Sequence, residues 1–256
     1  VSCWGRNDDG QLGDGTSTYR SNPVQVVDAV GTPLSSIVAV AGSNHSVFLK
    51  SDGSVWTVGL NNAGQLGDGT TSDRNHAERV KDALGNPLTL VAGIAAGNAH
   101  TILLKSDGTV WATGRNNDGQ LGNGSTLSQS NPVQVVDAGG NPLNGVTAIS
   151  AGVDHSVFLK SDGTVWATGW NGNGRLGDGT NVSRSNPVQV LDAGGAPFTN
   201  VRAISAEKAH TIFLKGDGTV WAVGKNINGQ LGDGTTQDRI NPVQVLDSLG
   251  NPFAGV

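Results

Sequence analysis

The stretch HSVFLKSDGTVWATGWNGNGRLGDGT, residues 155–180, decides the fold of this chain. It begins as an alternating strand, passes through Asp162-Gly163 and returns as the strand-forming run TVWAT. Asp-Gly between β-branched runs predicts a hairpin closed by a two-residue turn, because that turn requires positive φ at both central residues. The polar segment NGNGRLGDGT has no helical period and predicts an ordered loop that leads outward from the hairpin.

The same sequence pattern recurs along the whole chain. Its histidine returns every 55 residues, at His45, His100, His155 and His210. The leucine of its loop returns at Leu12, Leu66, Leu121, Leu176 and Leu231. Units that start at the strand valine cover residues 1–54, 55–109, 110–164, 165–219 and 220–256, of which the last is incomplete. A fixed period of this length predicts one repeat domain over residues 1–256.

Composition argues against several classes of protein. The net charge is −5 with only 16 Lys and Arg residues, so the chain lacks the positive surface typical of nucleic-acid or anionic-membrane binding. Cys3 is the only cysteine, which excludes an internal disulfide and a thiolate metal cluster. No apolar run is long enough to predict a membrane-spanning helix. The chain contains no Met, so we expect that Val1 is not the encoded start.

Each repeat predicts four strands. In the third and fourth units these are residues 146–152, 155–160, 164–169 and 186–192. The second and third strands carry apolar residues on both faces, which is typical of strands buried on both sides. The fourth strand alternates apolar and polar residues and starts with Pro187, a position that proline tolerates at a sheet edge. We therefore predict that the fourth strand is outermost.

A four-stranded antiparallel sheet repeated about every 50 residues predicts an all-β chain, a β-propeller built from such blades. Three segments carry a family resemblance: VSCWGRNDDGQLGDG (1–15), VWTVGLNNAGQLGDG (55–69) and AGNAHTILLKSDGTVWATGRNNDGQLGNG (96–124). They closely resemble the repeats of the regulator of chromosome condensation family, over essentially the whole chain. This resemblance implies a propeller of typically seven blades, one of which mixes strands from both ends of the chain. We expect a bacterial-type tandem-repeat member.

The chain departs from that family pattern in its number of repeats. It carries only five loop copies and four histidine hairpins, opens on a third strand and stops where a first strand should begin. An incomplete array exposes a sheet face that invites pairing. We therefore expect the missing strands to come from other parts of the gene product, or from another chain by strand addition. Assembly of copies into a larger ring or a fibre is a further alternative.

The residues that could carry chemistry favour structural interpretations. The four repeated histidines occupy equivalent positions, too far apart for one metal ion, and we predict that each bonds to backbone beside a turn. Loops such as residues 7–16 contain Asp, Asn and Gly as calcium loops do, but they lack the terminal Glu. Turn chemistry explains the same residues. We predict no enzyme activity, no metal and no cofactor, and leave calcium binding by these loops open.

Positions that differ between repeats are the candidates for partner binding, because loops at equivalent positions gather on one face of a propeller. After the glycine of the third strand stand Arg6, Leu60, Arg115, Trp170 and Lys225. Before the histidine stand Asn44, Ala99, Asp154 and Ala209, preceded by Ser43, Asn98, Val153 and Lys208. The predicted partner-binding residues are Trp170, Arg115, Arg6, Leu60, Lys225, Asp154 and Lys208.

Trp170 is the strongest of these candidates, since Trp and Arg are enriched among interface anchors. The alternative is that these side chains are solvated or cover neighbouring loops. A second variable set is predicted to form an outer rim: residues 17–20, 71–74, 126–129, 181–184 and 236–239. Four tryptophans share one position of the third strand and are predicted to be buried core: Trp56, Trp111, Trp166 and Trp221.

These features together predict a noncatalytic scaffold that binds a protein partner, or another copy of itself, through a loop face. One alternative is a structural subunit of an extracellular or surface assembly joined by strand complementation. The family resemblance implies another, a guanine-nucleotide exchange regulator of a small GTPase. Low Lys content, many Asn, Thr and Gly residues and the lack of Met favour a secreted or cell-surface location, and a cytoplasmic location stays open.

Overall fold

The structure, a computed structural model, describes residues 1–255 and is built from strands. No helix among these residues is long and apolar enough to span a membrane. The strands in chain order are β1 (Ser2–Gly5), β2 (Arg20–Gln25), β3 (Ile37–Gly42), β4 (His45–Lys50), β5 (Val55–Gly59), β6 (Arg74–Arg79), β7 (Val91–Ala96), β8 (His100–Lys105), β9 (Val110–Gly114), β10 (Gln129–Gln134), β11 (Val146–Ala151), β12 (His155–Lys160), β13 (Val165–Gly169), β14 (Arg184–Gln189), β15 (Val201–Ala206), β16 (His210–Lys215), β17 (Val220–Gly224) and β18 (Arg239–Gln244).

The strands form antiparallel sheets in chain order. Strands β3–β6, β7–β10, β11–β14 and β15–β18 make four sheets of four, and β1 pairs with β2. The all-β prediction and the four-stranded repeat are therefore confirmed. The chain divides into two compact units. The first comprises Val1–Asn117 and Leu127–Gln134, and the second comprises Asp118–Thr126 and the chain from Val135 onward.

The hairpin of the opening stretch forms with a longer turn than predicted. The Lys160 N–H donates to the Thr164 carbonyl (2.9 Å), which leaves three residues, 161–163, in the loop. Only Gly163 has positive φ (78°), while the Asp162 carboxylate accepts bonds from the N–H and the hydroxyl of Thr164 (2.9 and 2.6 Å). The prediction of a two-residue turn was wrong, because Asp162 caps the start of the third strand instead of adopting positive φ.

The fourth strand lies at a sheet edge, as predicted, but its bounds differ. β14 covers Arg184–Gln189 and not residues 186–192. Pro187 therefore lies inside the strand and not at its start. The ladder shifts register between Ala167 and Gly169, and this bulge accommodates a proline that has no N–H to donate.

The core of the second unit lies between its two sheets. Val157 and Val165 of one sheet and Phe213 of the next are completely buried, and Leu159 and Val223 belong to the same cluster. In the first unit the equivalent cluster joins Val47, Leu49 and Val55 to Leu103. The prediction that second and third strands are buried on both faces is confirmed, since hairpin residues of both strands are buried in the packing between the four-stranded sheets of each unit.

The four repeated tryptophans are half-buried and not fully buried core as predicted. The indoles of Trp56, Trp111 and Trp221 pack partly against core clusters. All four indoles carry a cationic side chain over the ring, at 5.4–5.6 Å from the ring centroid. These tryptophan–cation pairs are Trp56–Arg79, Trp111–Lys105, Trp166–Lys160 and Trp221–Lys215. The long cationic side chain covers one face of each ring, and the rest of the ring stays partly accessible to solvent.

Three of the four repeated histidines are completely buried and structural. His45 Nε2 lies 2.7 Å from the hydroxyl of Thr101, and that hydroxyl donates to the Gln65 carbonyl (2.7 Å). Because the hydroxyl proton is committed to the carbonyl, His45 must donate from Nε2. His155 makes the same contact with Thr211 (3.0 Å). The structural interpretation is supported, but the partner is a hydroxyl of the next sheet and not backbone.

Each glycine-rich loop runs from the third strand of its sheet to the edge strand, and the first four loops also pack against the sheet that follows. A Cβ on Gly64 would lie 2.5 Å from the Ser130 Cα, and one on Gly174 would lie 2.6 Å from the Ile240 Cα. Both glycines also have positive φ. The Thr113 hydroxyl donates to the Gly64 carbonyl (2.9 Å). These loops therefore pack on the sheet that follows them, a contact between distant residues that local turn chemistry does not reveal.

Each loop is organised by one buried asparagine. The Asn61 side chain donates to Asp68 and to the Ser72 carbonyl and accepts from the Leu66 N–H (2.9 Å). Burial alone would raise the pKa of Asp68, but bonds from Thr70 and from an arginine outweigh it and hold this pKa below its usual value. Within residues 1–255 no three His, Cys, Asp or Glu residues are grouped to hold a metal ion.

In four of the five repeats an ion pair ties the loop to the fourth strand. The Arg74 guanidinium lies 2.7 Å from the Asp68 carboxylate, which is almost completely buried. The same pair occurs as Asp14–Arg20, Asp178–Arg184 and Asp233–Arg239. The third repeat has Asn123 and Gln129 at these positions. The prediction that residues 71–74 and their equivalents form a rim was wrong for this last residue, which is structural.

The third repeat suggests a test of the ion pair. Asp68→Asn alone should lower the free energy of unfolding by about 1–2 kcal/mol, because Arg74 loses its charged partner. The double change Asp68→Asn with Arg74→Gln reproduces the pair found at Asn123 and Gln129 and should recover more than half of that loss. Urea denaturation of the two single variants and the double variant measures the coupling. A double variant destabilised by the sum of the singles would contradict the pairing.

Burial of His45 predicts a dependence of stability on pH. Burial lowers the pKa of His45 from 6.5 to about 4, so the unfolded chain binds a proton before the folded chain does. The free energy of unfolding should therefore be fully present above pH 6.5 and should fall by roughly 3 kcal/mol as the pH drops to about 4. The loop aspartates, whose pKa values lie below 3.8, contribute losses only at lower pH.

The variant His45→Gln isolates this contribution, because its amide can still donate to Thr101 but does not titrate. Denaturant titrations at several pH values should show a shallower dependence on pH for this variant between pH 6.5 and 4. An identical slope in the variant and the parent protein would mean that His45 does not carry the effect.

Candidate functional site

The variable residues that flank each hairpin lie side by side at its open end. The residue after the third-strand glycine donates its N–H to the carbonyl of the residue before the histidine. These backbone bonds are Leu60 to Asn44 (3.2 Å), Arg115 to Ala99 (2.8 Å), Trp170 to Asp154 (2.8 Å) and Lys225 to Ala209 (2.9 Å). The two sets of positions predicted from the sequence are thus joined pairwise.

A glycine makes this approach of the two loops possible. Gly169 has φ 110°, and a Cβ there would lie 2.5 Å from the Asp154 carbonyl oxygen. The turn therefore requires glycine both for its backbone conformation and for the space. The fixed backbone means that the neighbouring side chain can change from repeat to repeat without moving the loop.

Trp170 is presented as a rigid, partly exposed aromatic surface in the second unit. Its relative exposure is 38%. The guanidinium of Arg175 stacks 3.9 Å from the centre of the indole and is itself almost completely buried. A Cβ on Gly172 would come within 2.6 Å of the indole. Arg175 therefore fixes the position of the Trp170 ring, and the lack of a side chain at Gly172 leaves the room that the ring needs.

Arg175 replaces a glutamine that the other loops have at this position. In the second repeat that glutamine, Gln65, accepts a bond from the Ala63 N–H (2.9 Å). Arg175 cannot accept, and instead donates to the Lys208 carbonyl (3.1 Å) and to the Asn173 side chain (3.0 Å). The substitution thus links the loop that carries Trp170 to the loop before β16.

Carboxylates surround the buried Arg175. Burial lowers the pKa of its guanidinium to about 10, and the charges of Asp154, Asp118 and Asp238 oppose that decrease. Arg175 therefore remains charged at neutral pH. Of the predicted binding residues, the structure brings Trp170, Asp154 and Lys208 together around Arg175. Lys225 lies at the hairpin end of the next sheet.

The predicted residues of the first unit divide between two clefts. Leu60 and Arg115 line one cleft of about 490 Å³. Arg6 lines a different cleft of about 400 Å³ together with Trp4, and its Nε donates to Asp8 (2.7 Å). The structure therefore brings Leu60 and Arg115 together and separates them from Arg6.

Sequence comparison between repeats missed Arg175 and Gly172, although a signal for both is present. The loop reads GQLG in four repeats and GRLG only in the fourth, and Gly172 stands where the other loops have Asp, Asn or Ile. Both changes occur in the repeat that carries Trp170. Three simultaneous departures in one repeat would have marked this loop as specialised.

The geometry around His45 does not fit that of a catalytic base. His45 donates a proton to Thr101 Oγ1, and that hydroxyl donates onward to a carbonyl, so the histidine does not activate the hydroxyl. Both groups are also inaccessible to a substrate. This arrangement stabilises contacts between sheets, and the exposed residues at the hairpin ends are left as the candidates for function.

Comparison with known sequences gives a consistent family. The model of the RCC1-like domain matches residues 1–255. The ultraviolet-B receptor UVR8 of Arabidopsis thaliana is 31% identical over 254 residues, which cover 99% of this chain and 55% of the receptor. The E3 ubiquitin-protein ligase HERC2 of Homo sapiens is 32% identical over 256 residues, which cover all of this chain and 5% of the ligase. The chain thus spans about half of the first relative and a small part of the second.

Comparison with solved structures supports the same fold. Human WBSCR16 matches with a TM-score of 0.77 at 24% identity, covering 95% of this chain and 62% of that protein. Yeast RCC1 (Prp20), solved bound to Kap60, matches with a TM-score of 0.75 at 20% identity, covering 93% of this chain and 54% of the yeast chain. The four-stranded sheets described above are therefore β-propeller blades, and the chain belongs to the RCC1-like domain family.

Proposed function

We propose that this chain is a noncatalytic β-propeller scaffold that binds a protein partner through the loops at the open ends of its hairpins. The presentation of Trp170 carries this proposal. A large aromatic side chain that is already held in one position loses little conformational entropy on binding, and tryptophan is strongly enriched among residues that dominate interface energies. The stacking on buried Arg175 provides that preorganisation.

The division of labour between residues supports the same function. Buried asparagines, histidines and loop glycines recur in the repeats and hold the scaffold, whereas the hairpin-end positions hold residues as different as Leu60, Trp170 and Lys225. Variation on a fixed backbone is the pattern expected of a binding surface. Among the relatives are a receptor and ubiquitin ligases, and the yeast structure is of a complex with another protein. We propose that this chain likewise binds a protein.

The alternatives have weaker support. Guanine-nucleotide exchange rests on likeness to yeast RCC1 at 20% identity, which concerns the fold alone. Release of labelled nucleotide from a panel of small GTPases distinguishes that function from simple binding. The relatives do not support a surface assembly. A second copy as partner would appear as a concentration-dependent size in solution, and a secreted or cell-surface location remains part of the proposal.

Replacement of Trp170 tests the proposed surface. Affinity capture from a lysate of the source organism with the parent chain identifies partners, and binding of each purified partner is then measured by calorimetry. Trp170→Ala should weaken binding at least about 10-fold, because the anchor is lost, and should leave the melting temperature within about 2 °C.

The control is Leu249→Ala, which removes an exposed apolar side chain from the same unit; Leu249 is 84% exposed. It should bind like the parent chain. Equal affinities of the parent chain and Trp170→Ala for every partner would remove Trp170 from the binding surface, and loss of binding in both variants would indicate a nonspecific effect.

A further inference from the structure

A cleft in the first unit has a chemistry different from that of the Trp170 surface. We call it the amide cleft, and its volume is about 490 Å³. Its lining residues are Leu60, Asn62, Ala63, Thr71, Asn98, Ala99, Arg115, Asn117, Ser128 and Ser130. Three are asparagines, three carry hydroxyls, three are apolar and one, Arg115, is charged. The volume falls within the range of about 300–1,000 Å³ typical of ligand sites.

The asparagine amides of this cleft are suited to bind peptide main chain. A primary amide offers two N–H donors and a carbonyl acceptor, so it can pair with both the N–H and the carbonyl of an extended strand. Asn62 and Asn117 are exposed. Asn98 accepts a bond from the Asn44 amide on its Oδ1 (2.9 Å), which fixes the orientation of its own amide.

Arg115 brings a guanidinium group to the lining of the cleft. It is the only ionic side chain among the ten lining residues, whereas the chain as a whole has a net charge of −5. Its backbone N–H donates to the Ala99 carbonyl (2.8 Å), and this bond fixes the position of the Arg115 backbone. A planar guanidinium matches a carboxylate in two parallel bonds. Recognition of phosphorylated segments uses clusters of arginines, and a single guanidinium favours a carboxylate.

The amides are specific to the first unit. The equivalents of Asn62 in the fourth and fifth repeats are Gly172 and Ile227, and the equivalent of Asn98 before His210 is Lys208. The scaffold therefore does not require asparagine at these positions. Together with Arg115 they give this cleft donors and acceptors that the scaffold does not need, and a bound ligand can use them.

We propose that the amide cleft binds an extended segment of the partner protein, with the asparagine side chains bonded to its main chain and Arg115 paired with an Asp or Glu side chain. This inference rests on the proposed function, since it specifies the chemistry of the partner. It concerns residues of the first unit and can be tested independently of Trp170.

Pools of synthetic peptides test the proposal directly. The probes are acetylated, amidated nonapeptides with Glu, Gln or Lys at the central position and mixed residues elsewhere, and binding is followed by fluorescence anisotropy. The Glu pool should bind at least about 10-fold more tightly than the Gln pool, the Lys pool should bind most weakly, and added salt should reduce the preference for Glu. N-methylation of the main chain around the central residue should weaken binding of any peptide selected from the Glu pool.

Variants assign the preference to residues. Arg115→Gln should reduce affinity for the Glu pool to that for the Gln pool, while Asn98→Ala should weaken both. Lys50→Gln is the matched control, because it removes one positive charge from the same unit at the closed end of a hairpin, and it should bind like the parent chain. Circular dichroism and melting curves verify that each variant is folded.

Three results would overturn the proposal. They are equal affinity for the three pools, no binding of the Glu pool at about 1 mM protein, and a preference for Glu that survives in Arg115→Gln. If the pools fail while Trp170→Ala still loses a captured partner, the scaffold function stands and only the assignment of the amide cleft falls. If neither experiment detects binding, the scaffold function itself is wrong.

Discussion

The contact between each glycine-rich loop and the sheet that follows it is the constraint on which the structure depends. At Gly64 and Gly174 the loop backbone approaches the next fourth strand so closely that a methyl group would overlap it. The hydroxyls of Thr101 and Thr113 donate to loop carbonyls, and His45 donates to the hydroxyl of Thr101. Apolar packing between sheets supplies most of the driving force, but these polar contacts fix the register of one sheet on the next.

This constraint explains why function can concentrate at the hairpin ends. Because the loop backbone is held by glycine geometry and by a buried asparagine, the side chain beside each third-strand glycine is free to vary. Repeat four uses that freedom for Trp170 and stabilises it with Arg175, whereas repeats two and three present Leu60 and Arg115 in the amide cleft. The same scaffold position thus yields an aromatic surface in one unit and a polar cleft in the other.

The sequence predicted the repeat, the hairpin, the buried strands and the edge position of the fourth strand, because these depend on local alternation and on a fixed period. It did not predict the length of the Asp162-Gly163 turn, since whether Asp162 adopts positive φ or caps Thr164 depends on the paired strands. The packing of the loops on the next sheet depends on contacts between distant residues, and so does the role of Arg74. Arg175 and Gly172 were visible as departures from the repeat, but their meaning required knowing that both contact Trp170.

The order of loop and sheet along the chain has a consequence for synthesis. A loop such as residues 118–126 belongs to the compact unit of the sheet formed by β11–β14, most of which leaves the ribosome later. Such a loop therefore stays uncovered until the fourth strand of the next sheet has been translated. Since its surface consists of asparagine, aspartate and glycine backbone and few apolar side chains, the waiting segment is well hydrated and offers little for other nascent chains to associate with.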